Sequence, residues 1–172
     1  DEFKTHFPDL TKIMLDECYE SSTADEYIRK SYRGGWCYVV PEKTNKVFRG
    51  GTTADVNSLY PSMMSSESGN YYPVGEPVYW KGNYIPEKAK NKARRYYFLR
   101  FKCSFRIKPN YLPFIQIKGN PLYKATEMLT DSRPSLGGVK YDSITVDGIE
   151  HTNIVTMTMT CTDWELFNKH YY

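Results

Sequence analysis

An α+β fold, mainly antiparallel sheet with a few helices, is predicted by three features of the chain. The stretch Tyr97–Lys108 alternates apolar and polar residues with period two, as a half-buried strand does. Asp147-Gly148 sits between two β-branched runs, the signature of a tight hairpin. Two Thr-x-x-Glu patterns, Thr23 with Glu26 and Thr162 with Glu165, mark helix starts.

The elements follow in order. Leu10, Ile13, Met14 and Cys18 form an apolar stripe at helical spacing. Thr23 opens a second helix that glycines end at Gly34-Gly35. "WCYVV" and "KVFRGG" read as short strands, "TTADVNSL" as a strand entering a turn, and "SLYPSMMSS" as the start of a short helix. The Pro-, Gly- and charge-rich stretch from Tyr71 to Arg95 reads as loop with one short hairpin. In the long strand, Tyr97, Leu99, Phe101, Cys103, Phe105 and Ile107 share an apolar face; Arg100, Lys102, Ser104, Arg106 and Lys108 make the other face largely basic. "YLPFIQIKGNPLYK" predicts a further strand turning at Gly119-Asn120-Pro121, and the segment from Val139 to Cys161 more strand about the Asp147-Gly148 turn. Thr162 then caps a final helix.

At 172 residues the chain holds one domain or two small lobes. Hydrophobic residues are 40% and charged residues 25%, usual values for a water-soluble fold. No apolar run reaches the roughly 20 residues of a membrane span, and no signal-peptide pattern opens the chain. A first residue other than Met and a last segment that stops inside a predicted helix give the expectation of a piece from a longer protein. Cys18, Cys37, Cys103 and Cys161 are far apart, which favours reduced thiols over a disulfide framework or a zinc site. His6, His151 and His170 are equally scattered. Net charge is only +3, yet the bases crowd the middle: Lys88, Lys90, Lys92, Arg94, Arg95, Arg100, Lys102, Arg106, Lys108, Lys118 and Lys124. The 16 tyrosines suit stacking on bases or sugars, and equally suit sheet packing.

The stretch that carries chemistry is "DVNSLYPS", Asp55 to Ser62. Nucleotidyl transfer uses two divalent cations held by paired aspartates, which activate the attacking hydroxyl and neutralise charge on phosphorus. An aspartate at a strand end can present its carboxylate to such ions. The turn behind it can aim backbone N–H groups at phosphate oxygens, and a tyrosine in that turn can lie against a sugar. The same residues also read as an Asx-type turn in which Asp55 only satisfies its own backbone.

"DVNSLYPS" closely resembles the first polymerase motif of family B DNA polymerases, and "SYRGGW", Ser31 to Trp36, resembles the Tyr-x-Gly-Gly motif of their protein-primed branch. "LPFIQIKGNPLY" and "TCTDWELFNKHYY" look like that branch's terminal-protein region, so the resemblance runs from about Phe3 to the end of the chain. It implies a division into residues 1–66, the linker and first part of the palm, and residues 67–172, the terminal-protein insertion, with the boundary near Ser65 to Asn70. It implies Asp55 as metal ligand and catalytic carboxylate, with the Val56 carbonyl as a further ligand. Ser58 and Leu59 meet the incoming triphosphate through backbone, and Tyr60 stacks under the deoxyribose and excludes a ribose 2′-hydroxyl. Tyr32, Arg33, Gly34 and Gly35 contact template phosphates, and Lys118 contacts DNA or terminal protein. Mg²⁺ is the implied cofactor. The implied partners are a DNA primer-template, deoxynucleoside triphosphates and terminal protein, in the cytoplasm of a bacterial host.

Three departures qualify this. The family's second metal aspartate, in an Asp-x-Asp motif, and its Lys-rich triphosphate-binding helix have no match in the chain, and neither do the exonuclease carboxylates. The partner of Asp55 is therefore expected beyond Tyr172, and these 172 residues alone are expected to be inactive. The rival reading is a non-catalytic β-rich module that binds single-stranded nucleic acid or a glycan through Tyr, Trp and Lys on a sheet face.

Overall fold

The alternating segment forms the strand its period predicts. In the computed structural model, which describes residues 5–16, 19, 21–91, 96–136 and 142–172, β1 spans Phe98–Cys103. It pairs antiparallel with β4, Val155–Thr160, from Phe98 opposite Thr160 to Cys103 opposite Val155. Residues directly opposite share a face. Leu99, Phe101 and Cys103 therefore lie with Met159, Met157 and Val155, while Phe98, Arg100 and Lys102 lie with Thr160, Thr158 and Thr156. β2, Ile144–Val146, and β3, Ile149–His151, form a separate hairpin. Asp147 and Gly148 between them both have positive φ, 51° and 77°, as a type I′ turn requires.

Helix α1, Ala24–Arg29, starts where its cap predicts: extended Thr23 accepts from the Glu26 amide through its hydroxyl at 3.2 Å. The return half of the box lands one residue early, because Glu26 Oε2 accepts from the Ser22 amide at 2.7 Å. Helix α2, Leu59–Met64, is short, and α3, Cys161–His170, closes the chain. The cap of α3 is not Thr162 but Thr160, whose hydroxyl accepts from the Asp163 amide at 3.1 Å. Thr160, at the end of β4, has the extended backbone a cap needs.

The core lies between the β1–β4 sheet and α3. Phe105, Ile115, Tyr123, Leu129, Val155, Met157, Met159, Phe167 and Tyr171 form one buried cluster. Phe101 meets Trp164 edge-on at 4.8 Å, and Phe167 stacks on Tyr171 at 5.3 Å. Each such side chain withdrawn from water contributes about 1.5–3 kcal/mol. The buried Tyr171 hydroxyl is satisfied on every side, since it accepts from the amides of Phe114 (2.9 Å) and Ile115 (3.3 Å) and donates to the Leu129 carbonyl (3.0 Å).

Several predicted elements do not form. The first apolar stripe is no helix over its described residues: Asp9 ties down the Thr11 amide and hydroxyl, and the chain doubles back through a Met14–Thr23 bridge. An aspartate bonding its own local backbone competes with helix. "WCYVV", "KVFRGG" and "TTADVNSL" form no ladder among the described residues, the last entering a turn at Asn57-Ser58, and the hairpin expected between Tyr71 and Arg95 is absent among them too. A strand exists only where another strand answers its amides and carbonyls. Among the described residues "YLPFIQIKGNPLYK" bridges only at Ile115, to Leu129. Cys18, Lys92, Arg94, Arg95 and Val139–Tyr141 lie outside the described residues.

Candidate functional site

Asp55 is exposed on the irregular approach to α2, and it has no hydrogen bond or ion pair among the described residues. It does not initiate an Asx turn. The reversal is made instead by Ser58, whose backbone sits in the left-handed region at φ 49°, ψ 48°. The helix then begins with Leu59 and Tyr60, and Pro61 falls within its first turn, where a missing N–H costs nothing. The Ser62 amide donates to the Ser58 carbonyl at 2.9 Å and its hydroxyl to the Leu59 carbonyl at 2.8 Å, locking that first turn. First-turn amides lack helical acceptors. Tyr60 projects outward, 75% exposed, and Val56 is exposed as well. The far end of α2 is tied down by Asn70, whose side-chain amide donates to the Met63 carbonyl at 3.0 Å.

The Tyr32–Gly35 loop is held quite differently. Tyr32 is open to solvent, whereas Arg33 turns inward. Its two terminal nitrogens donate to the carbonyls of Gln116 (3.3 Å) and Thr158 (2.8 Å), and its Nε lies 3.9 Å from the Asp163 carboxylate. Burial pushes the Arg33 guanidinium below its ordinary range and pushes the Asp163 carboxyl above its own; each charge opposes the shift of the other. Gly34 has φ 146°, a conformation side-chain-bearing residues rarely adopt, and its carbonyl accepts from Lys118 Nζ. Trp36 completes the attachment, its indole N–H donating to the Pro113 carbonyl at 2.9 Å. The structure thus brings Arg33, Gly34 and Lys118 together, whereas among the described residues no hydrogen bond or ion pair links Asp55 or Tyr60 to them.

The basic stretch divides in the same way. Lys108 donates to the Asn168 carbonyl at 2.6 Å near the end of α3 and lies 5.5 Å above the Tyr172 ring, so it serves the helix end. Lys90 pairs with Glu87. Among the described residues no group of three or more His, Cys, Asp or Glu is placed to hold a metal ion.

The family model for DNA polymerase type B, organellar and viral, matches residues 2–167. The chain belongs to this family. It is 35% identical to the DNA polymerase of Bacillus phage Nf and 30% identical to that of Bacillus phage phi29, in each case over 99% of this chain and 24% of the relative. It is 33% identical to the DNA polymerase of Streptococcus phage Cp-1 over 68% of this chain and 17% of that protein. Its fold matches part of phi29 DNA polymerase solved with primer-template DNA and incoming nucleotide, with TM-score 0.68 and 29% identity, over 99% of this chain and 24% of that one. A second phi29 polymerase structure, with primer-template DNA, matches with TM-score 0.62, 26% identity and 99% coverage of this chain. This type B polymerase chain therefore spans about a quarter of the length of the relatives it matches.

Among the residues that hold the Tyr32–Gly35 loop in place, Trp36, Gln116 and Asp163 lie inside the quoted motifs but were given no role from the sequence. Only Trp36 carries a local signal, as a large amphipathic ring directly after the glycine pair. Gln116 acts through its backbone, and Asp163 reads as an ordinary first-turn helix acid.

Proposed function

We propose that the protein to which these residues belong is a DNA-directed DNA polymerase, and that this chain supplies the first metal carboxylate, the nucleotide-facing turn and a template-facing loop. The observation that carries this reading is the free Asp55 carboxylate followed by the Ser58 reversal and Tyr60, in a chain matched by the family over residues 2–167. The resemblance of residues 112–123 and 160–172 to a terminal-protein region supports priming from a terminal protein, and phage relatives support a bacterial host cytoplasm as the place of action.

Asp55 fits a divalent cation as one ligand, because its oxygens are exposed and uncommitted. A hard cation such as Mg²⁺ needs further oxygen ligands from a second carboxylate, substrate phosphates or water. The second carboxylate is supplied from outside these residues, and the Val56 carbonyl is a further candidate ligand. When bound, the metal pair supplies charge neutralisation at the transferring phosphorus. The chain's own residues position the nucleotide. Ser58 and Leu59 offer backbone to the triphosphate, and Tyr60 offers a ring for the deoxyribose to stack on and an edge that a 2′-hydroxyl would strike. Tyr32, Gly34 and Gly35 face the template backbone, with Lys118 as a nearby cation.

In the full-length polymerase carrying this chain, Asp55→Ala is expected to lower nucleotide incorporation by at least about a thousandfold while primer-template affinity changes less than about threefold. Steady-state extension assays with parallel gel-shift titrations read both quantities. Retained synthesis would sink the assignment of Asp55. Intact synthesis together with loss of binding on removing tyrosines would favour a binding module instead.

A further inference from the structure

Arg33 lies in a loop otherwise turned to solvent, yet its side chain is 16% exposed. Both terminal nitrogens are spent on main-chain carbonyls from two separate parts of the fold, at Gln116 and Thr158. Among the described residues β4 pairs on one side only, with β1, so its other edge leaves carbonyls to be answered. The guanidinium answers one of them and covers Thr158, which is 4% exposed although it lies on the polar face of the sheet. Asp163, in the first turn of α3, is the counter-charge for a cation that burial would otherwise leave uncompensated. Lys118 on the Gly34 carbonyl and Trp36 on the Pro113 carbonyl fix the loop immediately after Arg33. The polar ends of the clamp face inward, and Tyr32 and Gly35 are left facing out.

We infer that Arg33 is a positioning residue: with Asp163 it clamps the Tyr32–Gly35 loop onto the edge of β4 and the start of α3, and it acts on DNA only through the shape it gives that loop. The inference rests on the polymerase reading for the loop's partner, the template strand, and deepens it. A planar guanidinium can bridge two carbonyls and face a carboxylate at once, whereas a lysine ammonium is a single compact charge on a flexible stem. A cation that touches phosphate directly behaves otherwise: it gives one unit of salt dependence, and lysine largely replaces it.

The experiment uses the full-length polymerase and measures primer-template affinity against salt for Arg33→Met, Arg33→Lys, Asp163→Asn and the Arg33→Met/Asp163→Asn double variant. The clamp predicts that all three single variants weaken binding by roughly three- to thirtyfold at fixed salt with the salt slope unchanged. It also predicts that the double variant is little worse than Arg33→Met alone, as expected for two residues acting as one unit. A slope reduced by about one in Arg33→Met, rescue by Arg33→Lys, and unchanged or tighter binding in Asp163→Asn would overturn it in favour of a phosphate contact. Should Arg33→Met not fold, Arg33→Lys and Asp163→Asn decide alone: joint loss supports the clamp, and wild-type behaviour of both overturns it. Asp55→Ala, run alongside, separates the two readings. Loss of synthesis with intact binding upholds the polymerase reading whichever way Arg33 turns out, and retained synthesis removes that reading whatever the clamp does to binding.

Discussion

Cys103 and Cys37 show how far position on an element governs a side chain. Cys103 points to the apolar face of β1 opposite Val155, and burial pushes its thiol up to about 12. Only about one molecule in 10⁴ then carries the thiolate at pH 8, and the thiolate is the reactive form. Cys37, just past the clamped loop, is exposed. Brief treatment of the folded protein with iodoacetamide at pH 8, followed by peptide mapping, is expected to modify Cys37 well before Cys103 and the buried Cys161. Equal labelling of Cys37 and Cys103 would mean that the inner face of β1 is not packed. Asp55 obeys the same rule in the opposite sense: it is exposed, and its carboxylate has no hydrogen bond or ion pair among the described residues.

At the scale of the element, α3 stands on one hydroxyl. Thr160 ends β4 in extended backbone, and its Oγ1 answers the Asp163 amide. Thr160→Ala is expected to cost about 1 kcal/mol, and Thr162→Ala only a few tenths, because Thr162 is exposed and does not cap the helix. Urea unfolding of the two variants separates these values, and the reverse order would restore Thr162 as the cap. That two-residue shift typifies what the sequence alone could resolve. Elements whose pattern is local were legible: the period-two run of β1, the Asp147-Gly148 hairpin, Thr23 before α1 and the existence of α3. "WCYVV" and "TTADVNSL" have strand composition, but a ladder depends on a partner, and composition does not reveal whether one is in reach. The site divided along the same line. Asp55, Ser58 and Tyr60 lie in one contiguous motif, so the sequence singles them out together, whereas the contacts of Arg33 with Thr158 and Asp163, more than a hundred residues away in sequence, leave no local signal.

Across the whole molecule, the buried core and the turn bearing Asp55 and Tyr60 reside in different places. The buried cluster draws on residues 105–171, and Met159 within it is fully enclosed. The segment from Val39 to Tyr60 contributes no buried side chain, and Val47 is 94% exposed. Removing most of the Met159 side chain leaves a cavity among aromatic and aliphatic neighbours, so Met159→Ala is expected to destabilise the 172-residue chain by about 2–5 kcal/mol. Val47→Ala takes nothing out of a core and should change stability by no more than about 0.5 kcal/mol. Equilibrium denaturation with matched slopes checks both. A comparable loss at Val47 would show that the extended segment is packed in solution, against residues of this chain or a second copy. If only Met159 matters, the turn bearing Asp55 and Tyr60 is carried by a sheet-and-helix platform that leaves it uncovered, and Arg33, Trp36 and Lys118 join the Tyr32–Gly35 loop to that platform.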